Sequence, residues 1–366
     1  MRLGIIGGGQ LGRMLAHAAQ RLGIDVTILD PKENCSAGQV ARQIVGAYDD
    51  VEKLRELAAV SDAITYEFEN VPIEPLAALD GKIPLRPSPR GLAAAQDRLT
   101  EKTLFRSVGM QTADFAAIDS LNDLERECAT LNGACILKTR RFGYDGKGQA
   151  RIDTQQDIQG AWDDLKDNGP LILEKRIDFK RELAIIAARD ADGNEALYPV
   201  TQTHHRNGIL HRTLAPAPVL TDEIEQQART YVDKLLKQLD YVGVLALELF
   251  ETDDGLLANE FAPRVHNSGH WTIEGTTCSQ FENQVRAVMG LPLGAPTLRG
   301  PTGMLNLIGN VPPRAPILSA PDTALHLYGK SGRAGRKIGH ITVTASTQDD
   351  VTKRVDAIEK IVANQQ

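Results

Sequence analysis

The chain opens on a short, largely apolar run over residues 2–6 that enters Gly7-Gly8-Gly9-Gln10-Leu11-Gly12. Beyond the glycines, Met14, Leu15, Ala18 and Leu22 fall on one helical face, and Gly23 ends the pattern. A second apolar run, Val26-Thr27-Ile28-Leu29, stops at Asp30-Pro31. Strand, glycine loop, helix and strand in this order predict the opening of a doubly wound α/β sheet. Ile64-Thr65-Tyr66-Glu67-Phe68-Glu69 predicts another strand with two carboxylates at its C-terminal end, where open α/β sheets place their ligands. Prolines at 84, 87 and 89 then break the pattern and predict a domain boundary, and a helix over about 91–107 is expected next.

From 134 to 188 short strands alternate with glycine turns: Ala134–Lys138, Leu171–Lys175 and Glu182–Ala187, with 143–149 as a loop. The run from Val242 to Phe250 is almost continuously apolar but carries Glu248. Leu256-Leu257-Ala258-Asn259-Glu260 predicts its hairpin partner across the Asp253-Asp254-Gly255 turn. The tail carries a basic turn at 329–337 and a strand at Ile341–Thr344, and no internal repeat is present.

The length of 366 residues predicts two or three domains. Hydrophobic and charged fractions of 42% and 24% are those of a globular protein. A net charge of −7 excludes broad nucleic-acid binding while leaving room for a local basic pocket. No segment approaches the roughly 20 apolar residues of a membrane span. The apolar N-terminal run is too short for a secretory signal, so a cytoplasmic location is expected. Cys35, Cys128, Cys135 and Cys278 lack metal-ligand spacing and read as thiols of a reducing compartment.

Five features carry candidate chemistry. The loop at 7–12 fits G-x-G-x-x-G, with Asp30 eighteen positions beyond Gly12. Such a loop brings backbone amides to a phosphate, which would suit a nicotinamide oxidoreductase, but the same turn also serves merely to pack helix on sheet. Glu248 and Glu260, with Asn259 beside them, would lie on paired strands. Oxygen ligands so placed can grip one or two Mg²⁺ ions whose shell ATP phosphates complete, and a carboxylate in so apolar a strand needs a partner. Lys138 at a strand end, followed by a flexible glycine-rich lid containing Lys147, could cover phosphates; read alone it is a surface lysine. The chain has no G-x-x-x-x-G-K-[ST] segment, which excludes a Walker-type site. Glu174-Lys175-Arg176-Ile177 leaves a strand and could meet adenine through its backbone, with Glu182 placed for a ribose. Asn259 through Trp271 gathers Arg264, His266, Asn267 and His270 beside the metal strand, a set suited to a small anion such as bicarbonate, although either histidine alone reads as structural.

Together these segments resemble the ATP-grasp superfamily, and within it the N5-carboxyaminoimidazole ribonucleotide synthetase family. The resemblance rests on Gly7 through Gly12, Tyr66-Glu67-Phe68-Glu69, Gly143-Tyr144-Asp145-Gly146-Lys147-Gly148-Gln149, Asn259 through His270, and Gly335-Arg336-Lys337-Ile338-Gly339-His340. It implies an α/β (α+β overall) fold in three parts: a Rossmann-like domain at 1–96 that has lost nucleotide binding, an ATP-grasp domain at 97–290 with a lid at about 118–178, and a small β-rich domain at 291–366. It implies a homodimer that uses ATP, Mg²⁺ and bicarbonate to carboxylate 5-aminoimidazole ribonucleotide. Under it Arg98, Lys138 and 143–149 meet ATP phosphates, Glu174 to Ile177 the adenine, Glu182 the ribose, and His205 and Asn259-Glu260 further parts of ATP. Glu248 and Glu260 become Mg²⁺ ligands. Arg264, His266 and Asn267, with Lys138, serve the bicarbonate chemistry, and Glu69, Tyr144, Lys330, Arg336 and Lys337 the ribonucleotide. Val265 stands where the family pattern has proline. A formate-dependent glycinamide ribonucleotide transformylase, a biotin carboxylase, a nicotinamide oxidoreductase and a non-catalytic ATP-binding protein are the competing readings.

Overall fold

A computed structural model describes residues 1–143 and 147–363. Strands Arg42–Val45, Asp25–Asp30, Arg2–Ile6 and Ala63–Tyr66 form, in that spatial order, a parallel sheet. The helix Gln10–Arg21 follows the first strand and buries Met14, Leu15 and Ala18 of the expected stripe together with Leu11, whereas Leu22 caps the helix and is exposed. The strand expected over 64–69 stops at Tyr66, which leaves Glu67 and Glu69 on the loop beyond it.

A second, antiparallel sheet orders Phe115–Ile118, Leu171–Lys175, Cys135–Thr139 and Gln149–Ile152. Helices Leu121–Leu131 and Asp157–Leu165 close over it around one core that includes Leu124, Leu137, Ile158 and Leu173. The third sheet is also antiparallel, and nine strands of it are described. The hairpin Gly243–Thr252 with Gly255–Ala262 lies at one edge and pairs with Arg181–Arg189. Thr201–Arg206 and Ile209–Ala215 follow, and the latter pairs with Thr302–Gly309. The C-terminal strands Arg333–Thr344 and Thr323–Leu327 thus continue this sheet rather than forming one of their own.

Two local expectations need correction. The helix expected over 91–107 is two helices, Pro89–Ala95 and Arg98–Ser107. Asp97 between them is extended, and its carboxylate accepts from the amides of Leu99 and Thr100 at 2.9 and 3.2 Å. A side chain that caps a new helix competes with continuation of the old one, although the apolar spacing runs through the break. The turn expected over 329–337 is already strand from Arg333 onward. No helix among the described residues is long and apolar enough to cross a membrane.

Candidate active site

Glu248 and Glu260 are direct cross-strand partners on the edge hairpin. The register shifts just beyond Glu248, where Leu249 pairs with Ala258 and Asn259 is the extra residue. Such a bulge re-aims neighbouring side chains and frees a backbone group from the ladder. Here the Asn259 carbonyl accepts from Lys102 Nζ at 2.9 Å. Two carboxylates side by side cannot both ionise freely. Burial together with repulsion from Glu260 pushes Glu248 up to about 7. Burial opposes the charge of Glu260 too, but Arg98, 3.1 Å away, outweighs it and holds Glu260 below the usual carboxylate range.

Cations from two other elements face this hairpin. Arg98 opens the helix Arg98–Ser107, and Lys102 lies one turn on, 1% exposed. Lys138 projects from the second sheet, where Leu171–Lys175 lies alongside and brings Glu174. A single oxygen of Glu174 stands 3.1 Å from both Lys102 and Lys138. Burial pushes Glu174 up, and the two lysines override it and bring it down to about 2. Glu174, expected in the adenine segment, therefore aims its side chain at the lysines. In the same segment the amides of Lys175 and Arg176 are donated to Asp114 O and Ala134 O, both at 2.8 Å, while the Arg176 guanidinium pairs with Asp153.

Glu182 and His205, on neighbouring strands, meet at 2.7 Å. Burial disfavours a charged His205, but Glu182 and Glu248 together raise its pKa. On the far side of the hairpin, His266 places Nδ1 2.9 Å from Ser268 Oγ and 3.6 Å from Glu248. Burial first, and Arg264 next, push His266 well below the ordinary histidine value, so it is neutral near pH 7. Arg264 pairs with Glu69 at 2.6 Å and donates to Val265 O at 3.0 Å, and its buried Nε has no partner among the described residues. Asn267 is turned away: its amide exchanges hydrogen bonds of 3.0 and 2.7 Å with that of Asn306. It braces the loop that carries His266 and Arg264.

The basic turn divides its charges. Lys330 reaches Gln10 on the glycine-loop helix, and burial lowers it to about 8. Lys337 acts electrostatically on Glu248 and His266. Arg336 folds back on Ser331, 3.2 Å from its carbonyl and 3.1 Å from its hydroxyl. At the lid base, Gly143 O lies 3.5 Å from Arg98 Nη2, Gln149 pairs with Lys138, and Lys147 is exposed. Gly148 has φ +69, and a Cβ there would sit 2.7 Å from Thr139 Oγ1, which suits the position to glycine. Tyr144, Asp145 and Gly146 lie outside the described residues.

Sequence reasoning missed three groups. Lys102 had a signal, its i+4 spacing from Arg98 on one helix. Glu101 had none: it is buried, accepts from the amide of Phe261 at 2.7 Å, and is pushed up to about 8 by burial and then by Glu260. Gln96 had none either. It donates to the carbonyls of Glu69 and Val71, both at 2.8 Å, and accepts from Arg141 at 2.9 Å, so it ties the Glu69 loop to the base of the lid.

A carboxylate pair on an edge hairpin, faced by cations from a helix and from a smaller antiparallel sheet, defines the ATP-grasp class. The ATP-grasp domain model matches residues 103–281. A ribonucleotide synthetase preATP-grasp domain matches 1–96, and a phosphoribosylaminoimidazole carboxylase C-terminal domain matches 302–354. The chain belongs to the N5-carboxyaminoimidazole ribonucleotide synthase family. It is 45% identical over 362 residues to the synthase of Pseudomonas aeruginosa, covering 99% of each chain. It is 50% identical over 345 residues to that of Brucella melitensis, covering 93% of this chain and 95% of the relative. The synthetase of Thermus thermophilus superposes with a TM-score of 0.94 at 44% identity, covering 98% of each chain. The Aspergillus clavatus enzyme, solved with ADP and 5-aminoimidazole ribonucleotide, superposes with a TM-score of 0.92 at 34% identity, covering 99% of this chain and 98% of that one.

Proposed function

We propose that this chain is the ATP-dependent ligase that carboxylates 5-aminoimidazole ribonucleotide with bicarbonate to N5-carboxyaminoimidazole ribonucleotide in purine biosynthesis, by way of carboxyphosphate. One observation carries the reading. The Arg264–Glu69 pair joins the strand-end loop of the N-terminal sheet to the segment that follows the carboxylate hairpin. An acceptor held at Glu69 therefore lies beside a guanidinium able to hold bicarbonate, next to the place where phosphoryl transfer would occur.

The roles divide as follows. Arg98 and Lys138 neutralise the phosphates of ATP. The adenine lies along Glu174–Ile177, met by carbonyls and by the amide of Ile177, since the amides of Lys175 and Arg176 are taken. Glu182 accepts the ribose hydroxyls and His205 steadies it. Glu248 and Glu260, with the Asn259 carboxamide, offer only oxygen ligands, the donor set of a hard divalent cation. The mutual repulsion of two adjacent carboxylates suits them to that charge. Mg²⁺ held by these residues would supply positive charge to offset that of the phosphates. Arg264 aligns bicarbonate for attack on the γ-phosphorus. Neutral His266 accepts from the amide of Ser268 at Nδ1, 3.3 Å away, so its proton lies on Nε2, which can donate a hydrogen bond to the carboxyl group in transfer. Lys330 and Arg336 serve the 5′-phosphate, and Lys337 faces the carboxyl chemistry. Water must be excluded from the site, since it would hydrolyse carboxyphosphate. The division into 1–96, 97–290 (lid about 118–178) and 291–366 draws support from the three matched domain models. A cytoplasmic homodimer completes the reading.

The direct test is phosphate release from Mg-ATP in bicarbonate buffer, with and without 5-aminoimidazole ribonucleotide. Strong stimulation by the ribonucleotide, with labelled bicarbonate entering the product, is the expected result. Stimulation only by glycinamide ribonucleotide with formate would assign a different acceptor.

The titration of Glu248 makes a further prediction. Its raised pKa means that it is protonated below about 7, and a cation must displace that proton. The Mg²⁺ requirement of turnover should therefore be flat above pH 8 and rise by up to about tenfold per unit as pH falls below 7. Mg²⁺ titrations of phosphate release at pH 6, 7 and 8, at saturating ATP, measure it. A requirement independent of pH would place the cation elsewhere.

A further inference from the structure

The glycine loop at 7–12 is the one motif that the ATP chemistry leaves unused. In a dinucleotide enzyme its amides would point at a phosphate from the helix N-terminus. Here the helix Gln10–Arg21 begins at the same loop, and the place is filled from within. Glu67, 8% exposed at the end of the parallel strand Ala63–Tyr66, turns its carboxylate under the loop. One oxygen accepts from Gly9 N at 2.5 Å and the other from Gly12 N at 2.8 Å. Two of the glycines are explained by the same contact. Gly7 has φ +105, and a Cβ there would come 2.5 Å from Glu67 Cγ, while one on Gly9 would collide with the carboxylate itself. Asp30, at the position that would meet a ribose, accepts instead from Gly8 N and Tyr48 Oη, both at 2.7 Å.

The first residue of this helix, Gln10, accepts from Lys330. The segment around Lys330 is fastened to the same domain: Tyr328 O accepts from Ser36 Oγ at 2.6 Å and Gly329 O from Gln39 Nε2 at 3.0 Å. Lys330 is largely withdrawn from water and feels the charge of Glu67.

We infer that Glu67 is a built-in anion: its carboxylate takes the phosphate position of the glycine loop, closes that position to nucleotides, and fixes Gln10 and thereby Lys330. It is a positioning residue for the lysine that meets the 5′-phosphate, a role that rests on the reading given under Proposed function. The anion-filled loop itself does not depend on that reading.

The test is Glu67→Ala, with sodium formate as a replacement anion and sodium chloride of equal ionic strength as control. Formate is the carboxylate that the substitution removes. It should raise the melting temperature of Glu67→Ala and leave that of the wild type unchanged. The KM for 5-aminoimidazole ribonucleotide should rise about tenfold or more, the factor expected on losing charge-assisted hydrogen bonds. The KM for ATP should move much less, and formate should reverse part of the rise. Formate acting no better than chloride, or an unchanged ribonucleotide KM, overturns the inference. If Glu67→Ala does not fold, Glu67→Gln serves. It keeps the volume and one acceptor but not the charge, and a wild-type ribonucleotide KM in that variant would equally overturn it. If the wild type shows no ribonucleotide-stimulated turnover, the acceptor reading fails, while the formate-dependent melting shift still decides whether the loop holds an anion.

Discussion

Glu260→Gln is expected to lower ATP turnover by on the order of 10³-fold while leaving the fold intact. The substitution is isosteric: it sets a neutral carboxamide of the same shape opposite Glu248. The carboxamide oxygen can still accept from Arg98, which now stands 3.1 Å from the carboxylate, so packing is retained. What disappears is half the negative charge facing the phosphates. A second consequence identifies the cause. Relieved of its neighbour's charge, Glu248 should titrate lower than its present value of about 7. Glu248→Gln should be similarly inactive, while Glu101→Gln, at a carboxyl already raised to about 8 and hence protonated at neutral pH, should be tolerated. Phosphate release paired with thermal melting separates these outcomes. A Glu260→Gln enzyme with ordinary turnover would remove the carboxylate pair from the metal assignment.

Glu174→Ala carries the largest expected effect on stability. The carboxylate is 4% exposed and neutralises the buried Lys102 and the half-buried Lys138 at once. Breaking a buried ion pair from one side strands the remaining charge and costs about 3–5 kcal/mol. The loss should fall on the junction between elements, because Lys138 and Glu174 belong to the smaller antiparallel sheet, and Lys102 binds the hairpin bulge through Asn259 O. Lys102→Met should cost less, since Glu174 would keep Lys138 as its partner. Urea unfolding of the three proteins at pH 7 measures the difference. Equal midpoints for wild type and Glu174→Ala would mean that water or another group takes up both lysines.

The placement of the two hairpin carboxylates was legible because its signals are local. An apolar run interrupted by one glutamate, a two-aspartate turn and a second run ending in Asn259-Glu260 specify a hairpin, and strand periodicity then sets the two carboxylates side by side. Lys138 and Glu182 stood out for the same reason, each in an apolar strand next to turn residues, whereas His205 entered only through the family resemblance. The glycine loop is the contrasting case. Its pattern is that of a dinucleotide site, and the residue that changes its meaning, Glu67, stands 58 positions from Gly9.

Sequence by itself determined the opening strand, glycine loop, helix and strand, the short strands between 134 and 188, and the hairpin that carries Glu248 and Glu260, since these follow from backbone periodicity and turn chemistry within a few residues. It did not reveal the break at Asp97, where a side-chain cap overrides an apolar pattern that runs on unbroken. Nor did it reveal that Glu174 serves Lys102 and Lys138, that Asn267 is committed to Asn306, or that Lys330 and Lys337 face different groups. Those choices fell to the tertiary structure. A buried charge or amide must find a partner wherever packing supplies one, and packing here joins segments far apart in the chain.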